Sequence, residues 1–296
     1  MNKVAIISTC AIEAEPGELL PVPGFVESQF SPLVYACFKQ LAAAQGCRLG
    51  GNSAIVLGSC YGDTTTADLA SRNLAAGQHH NALLFYQSVP SSITGYIAQE
   101  YGITGPISCI SGYGGMMNLL IELASSMLCG EEVETAVLIQ AELAGGDRVR
   151  ATAVECGADA DTSANTETTA NAGDHAAASV DTAASAIAGI PISMQPDSRD
   201  RAAGLVLMDA DQAQSLGCAA AYIEAVVIGC STEEACIGQL MLDKSGACCT
   251  IGVPYQFQRQ WKEVFARLAE PGLYDYLILV EPSAPGEWSG VLITLH

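Results

Sequence analysis

Basic side chains are scarce. Only 12 Lys and Arg stand against 32 Asp and Glu, a formal net charge of -20. A surface of that sign repels phosphate backbones and anionic lipid headgroups, which excludes nucleic acid and membrane surfaces as partners. Histidine is scarcer still, at four residues. No Cys-x-x-Cys or His-x-x-x-His spacing occurs, so no zinc site and no other metal site is expected, and no cofactor motif is present. The longest apolar runs, such as "AAAYIEAVVIGC", break at Glu or Gly well before the roughly 18 residues of a membrane span. The N-terminus "MNKVAIISTC" has one Lys, then a short β-branched run with no small-residue cleavage site; it reads as a first strand and not as a leader.

What is present is core-forming material. Half of the 296 residues are hydrophobic and mean hydropathy is +0.28, enough to bury a sizeable core. The 12 cysteines are diluted along the chain, and Cys37, Cys109, Cys129 and Cys218 lie in apolar runs. Free buried thiols in a reducing cytoplasm are therefore expected, not a disulfide scaffold.

Apolar strands alternate with amphipathic helices. Strands are predicted at 4–9, 107–111 and 135–143, and "SAIVLGSCYGD" (53–63) as a buried strand running into a glycine-containing turn. A helix is predicted from "SPLVYACFKQLAAAQG", with Ser31 as N-cap, Pro32 at its first position and Gly46 as its stop. Helices follow at about 64–76, from Ser91 or Ser92 to Tyr101, and at 115–129, whereas 82–86 has the look of a strand. This pattern predicts an α/β fold with a largely parallel sheet covered on both faces. Residues 151–188 contain no aromatic side chain and are dominated by Ala, Thr, Asp, Asn, Ser and Gly, a composition that marks a mobile insert. After it come a strand, a short helix and a long strand, then a helix at 257–270 and two strands, "YDYLILVEP" and "SGVLITLH". Each half of the chain thus ends in helix, strand, turn and strand, which is compatible with a weak structural duplication.

One stretch, "GPISCISGYGGMMNLL" (105–120), is laid out as a strand, a glycine-rich turn and a helix, the form in which many enzymes present a nucleophile. No nucleophile stands in the turn. Cys109 falls inside the strand, where a buried structural thiol is expected, and Ser111 has no His or Asp at motif spacing. Cys60 in "GSCYGD" is the other candidate thiol.

Taken together, "SVPSSITGYIAQEYGITGPISC", "LASSMLCGEEVETAVLIQAEL" and "PDSRDRAAGLVLMDADQAQSLGCAAAYIEAVVIG" resemble the ketosynthase branch of the thiolase fold, over about residues 1–230. The resemblance implies a layered αβαβα fold, with residues 1–230 as the first half and a reduced second half in 231–296. Enzymes of that family carry a Cys at the helix N-terminus and two His from the second half. The types fit the chemistry: a helix N-terminus lowers a thiol's pKa, and imidazoles stabilise an oxyanion. Here Gly114 stands where the Cys belongs, or Gly112 with a two-residue slip. Ser283 in "LILVEPSAPG" stands near the place of the first His. The resemblance is closest to chain-length-factor subunits, which lack the Cys, pair with a catalytic ketosynthase and shape an acyl tunnel in polyketide, polyene or fatty-acid biosynthesis. It implies a heterodimer, contact with acyl carrier protein through the complex, and Met116 and Met117 as tunnel candidates or core fillers. Two further readings stay open: an active β-ketoacyl synthase or acyltransferase that uses Cys60 or Cys109, and a scaffold protein with no tunnel.

Overall fold

The computed structural model describes residues 3–44, 49–79, 81–112, 114–130, 132–144, 199–242, 244, 248–252, 259–268, 274–284 and 286–295. The insert expected at 151–188 and the helix stop expected at Gly46 lie outside them. Among the described residues nine strands form one sheet: β1 (Val4–Ala14), β2 (Ser53–Gly58), β3 (Ile107–Ile110), β4 (Thr135–Glu142), β5 (Asp200–Asp209), β6 (Ala221–Cys230), β7 (Cys248–Gly252), β8 (Tyr276–Ala284) and β9 (Glu287–Leu295). Their spatial order is β3-β2-β4-β5-β1-β6-β9-β8-β7.

The sheet is mixed, which corrects the expectation of a largely parallel one. Among the described strands β2/β3, β2/β4 and β7/β8 run parallel, and β1/β5, β1/β6, β4/β5, β6/β9 and β8/β9 are antiparallel. Apolar composition alone misleads here, because β4 and β5 are buried on both faces and so read like strands of a parallel sheet.

The helices are α1 (Phe30–Ala43), α2 (Thr64–Ala75), α3 (Ala82–Ser88), α4 (Pro90–Tyr101), α5 (Met116–Leu128), α6 (Ala210–Leu216), α7 (Glu233–Leu240) and α8 (Arg259–Leu268). Three starts differ in detail from expectation. Helix α1 begins two residues earlier, on Phe30 with Gln29 as N-cap, and the side chain that accepts at its start is Ser28, not Ser31: its Oγ accepts Ser31 N–H at 2.9 Å and donates to Asp63 Oδ2 at 2.5 Å. Helix α4 begins on Pro90 at its first position, with Val89 as N-cap, and not on Ser91 or Ser92. The segment 82–86 is helical, because the Asn81 side chain accepts the N–H groups of Leu83 and Leu84 and so starts a turn that an apolar run of five cannot announce.

The two halves repeat one topology. β1, β5, β4 and β2 of the first half correspond to β6, β9, β8 and β7 of the second, and α1 and α5 correspond to α7 and α8. Thus β6, which precedes the boundary expected at 230, is the counterpart of β1. The equivalence reaches single side chains. The place of a Cβ on Gly204 of β5 is filled by Cys37 Sγ (2.9 Å) and Leu41 Cδ1 (2.7 Å) of α1; that on Gly290 of β9 is filled by Cys236 Sγ (2.9 Å) and Leu240 Cδ1 (2.7 Å) of α7. Among the described residues the second half has no counterpart of β3.

Helices α5 and α8 share one apolar layer with side chains from both half-sheets, while α1 and α4 cover the far face of the first half and α7 that of the second. A flat sheet is incompatible with the contacts of α5. Met116 at its start packs on the place of a Cβ at Gly58 in β2, whereas Gly115 just before it touches Ser289 in β9. Five strand spacings separate β2 from β9, about 24 Å at 4.8 Å each. The sheet therefore folds around α5 and α8, giving the αβαβα layering.

Strand β4 ends with Glu142 opposite Arg201 near the start of the adjacent antiparallel β5. The chain leaves and re-enters the sheet at neighbouring positions, so a connection of any length closes the same hairpin. Deleting about residues 157–185 is expected to move the melting temperature by less than about 2 °C, because halving a loop changes its closure entropy by only ~0.6 kcal/mol. Loss of cooperative melting in the deletion variant would show that the removed residues belong to the core.

Candidate functional site

Strands β2, β3 and β4 are parallel, and the crevice beyond their carboxyl ends is where open α/β sheets take ligands. Three pieces of chain meet there: the loop after β2 (Ser59–Gly62), the turn between β3 and α5, and the end of β4. From the second half, β8 and β9 close against the start of α5.

The turn before α5 is built on glycine for a steric reason. Gly115 is the N-cap of α5 with φ +61°, and a Cβ there would lie 2.9 Å from Ser283 Cβ and 2.8 Å from Ser289 Oγ. Ser283, selected from the sequence as the residue near the place of the family's first His, thus stands against the turn. Asn118, in the first turn of α5, donates its backbone N–H to Glu281 Oε1 (3.3 Å) and its Nδ2 to Ser289 Oγ (3.0 Å). Asn118 Oδ1 and Ser283 Oγ are buried and without a hydrogen-bond partner among the described residues. Burial pushes the Glu281 carboxyl up to about 7, against the opposing effect of the Asn118 N–H. The start of the helix is therefore already met by a carboxyl group of the chain itself, and the side chains around it are hydroxyls, an amide and an acid.

The candidate thiols are not activated. Cys60 is half-buried, and burial, then the nearby Glu142 carboxylate, push its thiol up to about 12. Cys109 is exposed, which corrects the expectation of a buried strand thiol: among the described residues β3 is the last strand of the sheet, with a neighbour on one side only. Its sulfur lies 3.9 Å from Thr94 Oγ1, and its pKa is raised by desolvation, with the Thr94 contact opposing. A reactive Cys needs the opposite shift. Cys129 is also exposed and Cys218 half-buried, whereas Cys37 is buried as expected. Of the histidines only His79 lies among the described residues, exposed ahead of α3.

Met116 and Met117 are each 0 % exposed, packed in the layer between the half-sheets. That burial favours core filling over an open tunnel wall. Met116→Trp is expected to cost about 1 to 3 kcal/mol by overpacking against Gly58. A well-folded Met116→Trp protein with an unchanged melting temperature would show space beside this residue that the packing does not reveal.

Glu142 completes the crevice. Its Oε2 accepts Ser59 Oγ–H (3.2 Å) and Tyr61 N–H (3.4 Å), and its Oε1 accepts Cys60 N–H. Burial raises its pKa to about 7 despite those three donors. Sequence reasoning passed over Glu142, Glu281, Asn118 and Ser289. The signal for the two acids was there: each is a charged residue closing or interrupting an apolar strand, in "LIQAEL" and "LILVEP".

No protein-family model and no curated protein matches the sequence. Solved structures do. A type II PKS acyl-carrier protein in complex with its ketosynthase bound to the hexaketide aligns with TM-score 0.68 at 11 % identity, covering 100 % of this chain and 99 % of that one. A β-ketoacyl synthase from Burkholderia phymatum STM815 aligns with TM-score 0.62 at 11 % identity, over 100 % of both chains. The ishigamide ketosynthase/chain length factor gives 0.62 at 12 % identity, over 99 % of both. The chain has the ketosynthase form of the thiolase fold.

Proposed function

We propose that this chain is a non-catalytic ketosynthase-like subunit that pairs with a Cys-bearing ketosynthase, as a chain-length factor does, in polyketide, polyene or fatty-acid biosynthesis. The observation that carries the reading is the pair Gly114-Gly115 at the start of α5 with Ser283 packed against it, where a condensing enzyme needs a thiol and an imidazole. The raised pKa values of Cys60 and Cys109 argue against a substitute nucleophile. The ketosynthase/chain length factor pair and the carrier-protein complex among the similar structures are the kinds of assembly this reading calls for.

The docking face follows from the fold. Among the described residues strand β3 is an edge of the sheet, a feature that proteins cover or blunt. Ile107 on it is 41 % exposed. We assign this face to the catalytic partner, with carrier protein reached through the pair.

Co-expression with a Cys-containing ketosynthase tests the reading. A stable complex is expected in which Cys109, exposed in the isolated chain and open to iodoacetamide at alkaline pH where the thiolate forms, is protected. A complex that leaves Cys109 equally reactive would remove the β3 interface. Condensing activity or a stable acyl adduct on the isolated chain would remove the non-catalytic role.

A further inference from the structure

The Ser59–Gly62 loop is held in shape by bonds that do not involve Glu142. Ser59 Oγ accepts Gly62 N–H at 2.8 Å, which leaves its own proton free to point away from the loop. Ser111 Oγ donates to the Cys60 carbonyl at 3.0 Å and so fixes the plane of the peptide that follows. Asp63, directly after the loop, is anchored as the N-cap of α2 and by Ser28. The result is three donors, Ser59 O–H, Cys60 N–H and Tyr61 N–H, converging on the two oxygens of one carboxylate. Successive backbone N–H groups turned to one side make an anion-binding concavity, and charge-assisted bonds of this kind are stronger than neutral ones. The carboxylate in it belongs to the protein, at the carboxyl edge of parallel strands where a ligand of an α/β fold sits. Burial raises the pKa of the Glu142 carboxyl, and the three donors of the loop oppose that rise by favouring the ionised form.

We infer that the Ser59–Tyr61 loop is a preorganised carboxylate cradle, that Glu142 is its resident internal ligand, and that a small monocarboxylate takes the same place when the Glu142 side chain is cut back. The ligand class follows from the donors. Cys60 N–H serves one oxygen, and Ser59 O–H with Tyr61 N–H serves the other, which suits a planar two-oxygen anion better than a spherical halide. The inference concerns the first half alone and does not rest on the proposed pairing, so either can fail without the other.

The test is thermal melting of Glu142→Ala in sodium formate, sodium acetate and sodium chloride at matched ionic strength. In chloride the variant is expected to melt below the wild type. Formate or acetate is expected to restore a few degrees in a saturating manner, as a ligand that binds only the folded state does, while the wild type does not respond. Adding Ser59→Ala to the variant is expected to remove most of the recovery. Should Glu142→Ala fail to fold in chloride, the same formate titration is the readout: a cooperative melt that returns with formate supports the cradle, and its absence overturns it. Equal effects of chloride and formate, or recovery undiminished by Ser59→Ala, also overturn it.

Discussion

Gly115→Ala is expected to destabilise the protein by about 4 kcal/mol, more than any other single methyl group added to the turn before α5. Two costs add. An L residue held at φ +61° pays about 1 to 2 kcal/mol, and a methyl group forced to 2.8–2.9 Å from Ser289 Oγ and Ser283 Cβ pays about 1 to 3 more. The neighbours cannot give way cheaply, because the Ser283 Cα, a backbone atom, is itself only 3.3 Å from the added carbon. Gly217→Ala is the control: its φ is +63°, but nothing lies within 4 Å of a Cβ there, so it should show only the conformational cost. Urea melts of the two variants check the difference. If Gly115→Ala lost no more than Gly217→Ala, the turn would be open and not pressed against β8 and β9. A closed turn also bears on the proposed non-catalytic role: on that reading Gly114→Cys is not expected to create condensing activity, because the reading leaves no imidazole to stabilise the oxyanion.

Glu281→Gln is expected to make the protein more stable at neutral and alkaline pH. In the folded state the carboxyl titrates at about 7, against 4.5 for an ordinary Glu. The native state therefore holds a proton that the unfolded state has released between those two values, and stability falls as pH rises through that window, then levels off above it. Integrated over the window, the loss is about 3 kcal/mol for a group buried to this extent. Glutamine keeps an acceptor for the Asn118 N–H and cannot ionise, so the variant should gain most of that amount near pH 8 and little near pH 5. Glu142 titrates in the same direction, so the wild-type slope should be reduced, not abolished. Denaturant melts at the two pH values decide it; a variant that is less stable than wild type at both would mean that Glu281 is needed as a charge.

Much of this architecture was legible in the sequence, and the parts that were not have physical reasons. Strand and helix positions in the first half follow apolar periodicity, and the likeness of the two halves was visible in their matching endings. Strand direction was not, because β4 and β5 are joined through a long connection whose length hides that they are antiparallel neighbours. Helix α3 was hidden by its shortness; only Asn81 announces it. β7 and α7 are too short to stand out from the polar stretch around them. At the site, the glycines and Ser283 were found because they sit where a motif leaves a gap. Asn118, Ser289 and the two acids were missed because their meaning lies in contacts between residues more than 80 positions apart in sequence.

The glycine sockets at Gly204 and Gly290 also constrain how the chain can diverge. A strand glycine ordinarily costs stability and is easily replaced, yet here the absent side chain is the space into which a helix seats a Cys and a Leu. Glycine, Cys and Leu form one inherited unit in each half, and no member can enlarge unless another shrinks. Relatives that have lost one of these glycines should carry a smaller residue at Cys37 or Leu41, or at Cys236 or Leu240, and the two sockets are free to drift apart because no side chain is common to both.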